Sequence, residues 1–347
     1  MSAEVSDLRA VEAGGELPPD VIRISLPTPF AVGDVNVYLL QGAEPTLIDT
    51  GPRTIEALAA LERGLAKAGV AVESLHRVIV THQHHDHAGL AADLRRRSGA
   101  ELVVLAPLDA VLRDFDAMME RDDQFAVTTM LQHGVELKHA ECLRALSRAV
   151  QPFGSAAIAD RVLDPGGLVQ AGTRTLRALP RPGHTPTDTL FLDERDGLLF
   201  AGDHLLQRVS SNPVAVCPLE ARYPAEAALA VDTSDALRIY IDSLLETDGL
   251  RVEQVLPGHG LPFAWQPDLI ARRLEMHANR ADTIVALLRA PHTGAAIVDH
   301  LWPDLPLKEL YLGISDALGH LRLAVDDGRI LARRTGRSVH FVRADRA

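Results

Sequence analysis

The segment Val78–Gly89, VIVTHQHHDHAG, places four imidazoles and a carboxylate within six positions, directly after a β-branched apolar run. The run favours a buried strand, and the cluster that follows is too polar to continue into a core. The chain must therefore end a strand where His82, His84, His85, Asp86 and His87 meet either solvent or a cation. At an i, i+2 spacing on extended backbone, His82 and His84 point the same way and can chelate one ion. Asp86 and His87, displaced by the turn, can reach a second ion. Whether they do depends on finding matching groups elsewhere.

Three further strand ends supply such groups. "RPGHTPTD" carries His184 in a Gly/Pro turn after the strand TLRAL, "LLFAGDH" carries Asp203 after an apolar strand, and "QVLPGHG" carries His259 in a glycine turn. A rigid scaffold holds side chains well at such positions. Zinc takes neutral imidazole nitrogen and carboxylate oxygen, and a catalytic zinc keeps one position open. His184 would complete three imidazoles around the first ion, His259 would join Asp86 and His87 at the second, and Asp203 could bridge both. Five imidazoles and two carboxylates suit a two-ion hydrolytic site. An unmetallated polar turn would leave these titratable groups half-buried without a counter-charge. His85 and His204 fall outside the pattern and are expected beside the ligands or at the surface, and His277 is expected on a solvated helix face.

The order HxHxDH, then a distal His, Asp and His, resembles that of the metallo-β-lactamase superfamily. Asp49 in "LIDTG" matches the family's early aspartate, which orients a ligand imidazole. The resemblance covers roughly residues 20–262. The extension beyond it is similar to that of the β-lactamase-like protein 2 group, some members of which are nucleases. The resemblance implies an α/β four-layer αββα sandwich, with His82, His84, Asp86, His87, His184, Asp203 and His259 as metal ligands. It also implies Asp86 and Asp203 as the carboxylates at the reacting centre.

Hydrophobic patterning is consistent with that architecture. Strands are predicted at Val21–Leu26, Val35–Leu40, Thr46–Ile48 and Arg77–Val80, with a helix presenting Ile55, Leu58, Leu61 and Leu65 on one face. Residues 1–20 read as a flexible arm and 21–265 as the main domain, with a helical insertion at about 107–160. One continuous helix is predicted over Ala225–Leu245. Residues 266–347 read as a long helix followed by a winged-helix-like unit ending in an arginine-rich hairpin.

Composition narrows the chemistry. A net charge of −12 and 4% aromatics disfavour nucleic acid as a partner, since phosphate binding needs cations and base stacking needs rings. Two cysteines in no CxxC pairing, the absence of an apolar leader and the lack of a spanning segment predict a cytoplasmic protein away from membranes. Each cysteine is expected as a small buried hydrophobe. A homo-oligomer is left open.

The expected function is hydrolysis by a hydroxide bridging two divalent ions, Zn²⁺ first and Mn²⁺ or Fe²⁺ as alternatives, on a small acyl substrate such as a thioester, ester or lactone. Phosphodiesterase or endoribonuclease activity is the alternative, and a non-catalytic metal-binding regulator a third reading. Ser210, Ser211 and Asn212, in the segment after Asp203, are candidates for substrate positioning or for ordering that loop. Arg272 and Arg273 are candidates for an anionic substrate or for ordinary ion pairs.

Overall fold

A computed structural model describes residues 17–344. Most of the arm expected over 1–20 lies outside the described residues. Within the remainder, Leu17 packs on the sandwich core and Asp20 pairs with Arg174 at 2.7 Å.

Two six-stranded sheets follow chain order. The first runs β1 (Val21–Leu26), β2 (Val35–Leu40), β3 (Thr46–Ile48), β4 (Arg77–Ile79), β5 (Glu101–Leu105) and β6 (Arg161–Leu163). The second runs β7 (Leu168–Ala171), β8 (Arg174–Pro180), β9 (Thr189–Asp193), β10 (Leu198–Gly202), β11 (Gln254–Pro257) and β12 (Phe263–Ala264). Antiparallel neighbours are joined by short turns. The parallel steps β3–β4, β4–β5, β5–β6 and β10–β11 need crossovers. Helices α1 (Ile55–Lys67), α2 (His85–Ala88) and α3 (Ala91–Ser98) serve the first two. The predicted insertion forms the β5–β6 crossover as α4 (Ala106–Arg113), α5 (Phe115–Gln132) and α6 (Leu137–Val150).

Side-chain alternation along the strands builds the layers. In β2, Val35, Val37 and Leu39 face α1, α3 and α4, while Tyr38 and Leu40 face the other sheet. In β10, Phe200 faces inward, whereas Leu199 and Ala201 pack outward. The helices beneath that outer face are α8 (Ala236–Asp248) and the start of α9 (Leu269–Leu287). The result is helix on sheet on sheet on helix.

Two expectations are corrected. The helix predicted over 225–245 is broken: α7 (Pro224–Ala230) ends at extended Val231, and α8 begins only at Ala236. Cys217 is buried as expected, but Cys142 is exposed, because α6 turns it away from the apolar face carried by Ala140 and Leu143.

The C-terminal part contains α10 (Gly294–Leu301), α11 (Leu310–Asp326) and the hairpin β13 (Ile330–Thr335) with β14 (Ser338–Arg343). Helix α11 buries Ile314, Leu318 and Leu321. Its core also takes in Met130 of α5 and Leu143 of α6, so the insertion and the C-terminal region share one apolar cluster. Among the described residues no helix is long and apolar enough to cross a membrane.

Candidate metal centre

Five of the seven predicted residues lie on loops at strand ends, Asp86 and His87 lie in the short helix α2 that follows β4, and the fold draws these ends together. The turn after β4 carries His82–His87, β8 leads to His184, β10 to Asp203 and β11 to His259. The two sheets are stitched at this edge: Thr189 N–H donates to the Thr81 carbonyl (3.0 Å), and Asn36 N–H to the Gly258 carbonyl (2.7 Å).

The cluster divides into two groups able to hold a cation: His82, His84, His184 and Asp203, then Asp86, His87 and His259. In the first, His84 Nδ1 lies 3.1 Å from His82 Nε2 and 3.0 Å from His184 Nε2. With zinc–nitrogen bonds of about 2.0–2.1 Å, a tetrahedron has edges of about 3.3 Å, close to this spacing. In the second, His259 Nε2 is 3.3 Å from Asp86 Oδ2. Asp203 stands between the groups, 3.4 Å from His87 Nε2, 3.7 Å from His184 Nε2 and 3.5 Å from His259 Nε2.

The far nitrogen of four imidazoles is pinned. His87 Nδ1 meets Asp49 Oδ2 (2.8 Å), His259 Nδ1 meets the Asp34 carbonyl (2.8 Å), His184 Nδ1 meets the Asn212 carbonyl (3.0 Å), and His82 Nδ1 meets Thr81 Oγ1 (3.0 Å). Each acceptor assigns a proton to Nδ1 and leaves the Nε2 lone pair facing the centre. Asp49 holds more than His87: it also accepts the Thr81 N–H (2.8 Å) and hydroxyl (2.9 Å). It does so at φ 59°, a conformation that a non-glycine residue adopts at some cost.

The fit to cations shows in what stays unpaired. His87 Nε2, His259 Nε2 and Asp203 Oδ1 are buried without a hydrogen-bond partner. Interiors leave few such atoms, and here three converge on one point. Burial pushes the His84 pKa down to about 3 and that of His82 well below its usual value, which keeps both neutral as ligands must be. Burial also acts against charge on His259, yet Asp203 beside it lifts its pKa to about 10. A cation at that place competes with this proton.

The flanking residues divide. His85 is partly exposed and edge-on to Phe115 (5.5 Å). His204 is buried against Thr247 (3.1 Å) and takes no part in the cluster. His277, expected to be solvated, is 3% exposed: Ser210 Oγ meets its Nε2 at 3.0 Å, and its Nδ1 meets His320 Nε2 at 3.1 Å. Its helix α9 lies between the sheet and α11, so both faces are covered. Asn212 serves His184 through its backbone carbonyl, while its side-chain amide donates to Leu312 O (3.2 Å). Ser211 is buried with an unpaired hydroxyl. Arg273 donates to the Leu206 and Gln207 carbonyls (2.9 and 3.1 Å), and Arg272 is turned to Asp268 and Gln266.

Sequence reasoning missed Thr81, Asp34 and the Asn212 carbonyl as supports. Two of these act through backbone oxygen, which every residue carries, so no side-chain signal existed. Thr81, adjacent to His82, is the one that its position could have marked.

Residues 31–259 match the model of the metallo-beta-lactamase superfamily. The chain is 31% identical over 324 residues to the "Probable metallo-hydrolase YqjP" of Bacillus subtilis, covering 93% of this chain and 97% of that one. It is 23% identical to a "Beta-lactamase-like protein 2 homolog" of Caenorhabditis elegans, covering 81% and 75%. It is 26% identical to the "Thioesterase pkgB" of Emericella nidulans, covering 73% and 54%. A crystal structure of a beta-lactamase domain protein from Burkholderia ambifaria superposes with a TM-score of 0.79 at 25% identity, covering 96% of each chain.

Proposed function

The chain belongs to the metallo-β-lactamase superfamily, and from that membership we propose that it is a dinuclear metal hydrolase acting on a small acyl substrate. The observation that carries the reading is the convergence of seven side chains that leaves His87 Nε2, His259 Nε2 and Asp203 Oδ1 buried without a hydrogen-bond partner. His82, His84 and His184 would hold one divalent cation, Zn²⁺ in the first instance, and Asp86, His87 and His259 the other. Asp203, within reach of both groups, would be shared. Bound there, the cations supply Lewis-acid polarisation of a carbonyl oxygen and a water acidified toward neutral pH.

The chain's own part is orientation and proton handling. Asp49, the Asp34 carbonyl, Thr81 and the Asn212 carbonyl fix the tautomers of His87, His259, His82 and His184, so that these four rings turn Nε2 and not an N–H toward the centre. Asp203 Oδ1 can accept a hydrogen from a water and hold it in line with the substrate carbon. Asp86 is the second carboxylate able to receive a proton inside the cluster.

Three observations favour an acyl over a phosphodiester substrate. Helix α11 is packed on α8 and α9 instead of standing free to enter a groove. Two of the arginines at the C-terminal hairpin that would grip phosphate are paired: Arg329 with Asp282 and Arg334 with Asp232 (2.6 Å). One relative is named a thioesterase.

Metal analysis of gently purified protein should find close to two ions per chain. Asp203→Asn should lose bound metal and nearly all hydrolysis while its circular dichroism stays folded, and full activity in that variant would contradict the shared carboxylate. A panel of acyl-CoA, lactone, phosphodiester and RNA substrates at several salt concentrations ranks the classes. Salt-sensitive RNA cleavage as the dominant activity would reverse the choice.

A further inference from the structure

Between His82 and His84 stands Gln83, a polar side chain only 6% exposed. Its Oε1 accepts the hydroxyl of Thr187, equally buried, in the turn that carries His184. The two loops joined by this bond supply the three imidazoles of the first cation group.

The position of the bond gives it a purpose. Thr189 N–H donates to the Thr81 carbonyl at 3.0 Å, where the end of β4 meets the start of β9. Two residues forward from Thr81 and two back from Thr189 stand Gln83 and Thr187, the next rung of an antiparallel pair. There the contact is between side chains. A single main-chain bond is a hinge, about which the two loops would open or twist and carry His82 and His84 away from His184. A second tie two residues further on removes that freedom.

The His184 turn is stiff enough to pass the restraint on. The Asp188 carboxylate accepts both the N–H and the hydroxyl of Thr185 at 2.8 Å. Thr185 Oγ1 accepts the Thr187 N–H at 3.3 Å, and Arg181 N–H donates to the Asp188 carbonyl at 2.8 Å. Gly183, at φ 146°, lies so close to the Tyr240 main chain that a β-carbon would collide with it, which seats the turn on α8. Holding Thr187 therefore holds His184, while Gln83 moves with its neighbours His82 and His84. The second group, Asp86, His87 and His259, takes no ligand from this turn.

We propose that Gln83 and Thr187 are positioning residues that preset the spacing of His82 and His84 from His184, so that their bond governs cation affinity at the first group and not at the second. This rests on the reading of the cluster as a two-cation centre.

Chelator competition with Zn²⁺ on the metal-free, full-length chain reads the two binding steps, and ¹⁵N spectra of labelled histidine rings show which ligands each step fills. Thr187→Val, which removes the hydroxyl at nearly constant shape, should weaken the step that fills His82, His84 and His184 about tenfold. The step that fills His87 and His259 should be unchanged. Gln83→Leu should have the same effect, and the double variant should lose no more than either single one, because both remove one shared bond. Thr187→Ser, which keeps the hydroxyl, should bind as the parent does. Thr187→Val decides the matter should Gln83→Leu fail to fold. Parent-like affinity in Thr187→Val, equal weakening of both steps, additive losses in the double variant, or no rescue by serine would each overturn the proposal. A parent that binds one ion, at His82, His84 and His184, defeats the two-cation reading and leaves the pair tested on that ion. A parent that takes no ion there overturns both.

Discussion

Gly258 shows how closely the metal centre is built at the scale of single residues. A β-carbon there would sit 2.3 Å from Asp203 Oδ1 and 2.5 Å from His87 Cε1. Gly258→Ala should therefore push the carboxylate out of position and weaken metal binding by at least tenfold, on the order of what disturbed supporting contacts cost. Competition with a chromophoric chelator measures it, and unchanged affinity would show that the loop relaxes freely. Asp122 offers a prediction away from the site. Burial raises its carboxyl to about 6, with Arg121 pulling the other way, and it accepts the Cys217 N–H at 3.0 Å. The folded chain thus holds this proton more tightly than the unfolded one. Stability from Asp122 is full below about pH 4 and is lost as pH rises through about 6. Asp122→Asn keeps the acceptor oxygen and removes the charge. It should be more stable than the parent by about 1–2 kcal/mol at pH 8, with the difference vanishing near pH 4. Urea melts at the two pH values check the sign.

At the scale of elements, the segment from Leu205 to Cys217 depends on helices that lie far along the chain. Arg273 of α9 holds the carbonyls of Leu206 and Gln207, His277 holds Ser210, α11 receives Asn212, and the Tyr311 hydroxyl donates to Ala215 O. Through the Asn212 carbonyl this support reaches His184. Tyr311→Phe removes one tether without changing shape, at a cost of about 1 kcal/mol. Hydrogen exchange within 205–217 should speed up while that of the sheets is unchanged, and equal exchange in parent and variant would show the tether to be idle. The sequence marked Ser211 and Asn212 as candidates on position alone. That the Asn212 main chain, and not its amide, meets a ligand imidazole is a matter of loop conformation, which side-chain identity does not encode.

For the whole molecule, the consequential feature is the core shared between the insertion and the C-terminal region. Met130, Ala140 and Leu143 pack with Ile284, Ile314, Leu318 and Phe341. A chain ending at Pro267 would expose that surface on α5 and α6. It should be recovered as aggregate or without a cooperative thermal transition, and a monomeric, cooperatively melting fragment would show that the sandwich folds without its tail. The early strands and the candidate ligand positions were legible in the sequence, because each rests on a local pattern: an apolar β-branched run, a glycine turn at its end, a fixed spacing of imidazoles. The αββα layering came from the family resemblance that this pattern carries, and the strand order only from the structure. The break before α8, the burial of His277, the exposure of Cys142 and the pinning of His184 by a main-chain oxygen were decided only by tertiary packing. Each depends on which surface a distant element covers, and a residue's own neighbours in sequence carry no record of that.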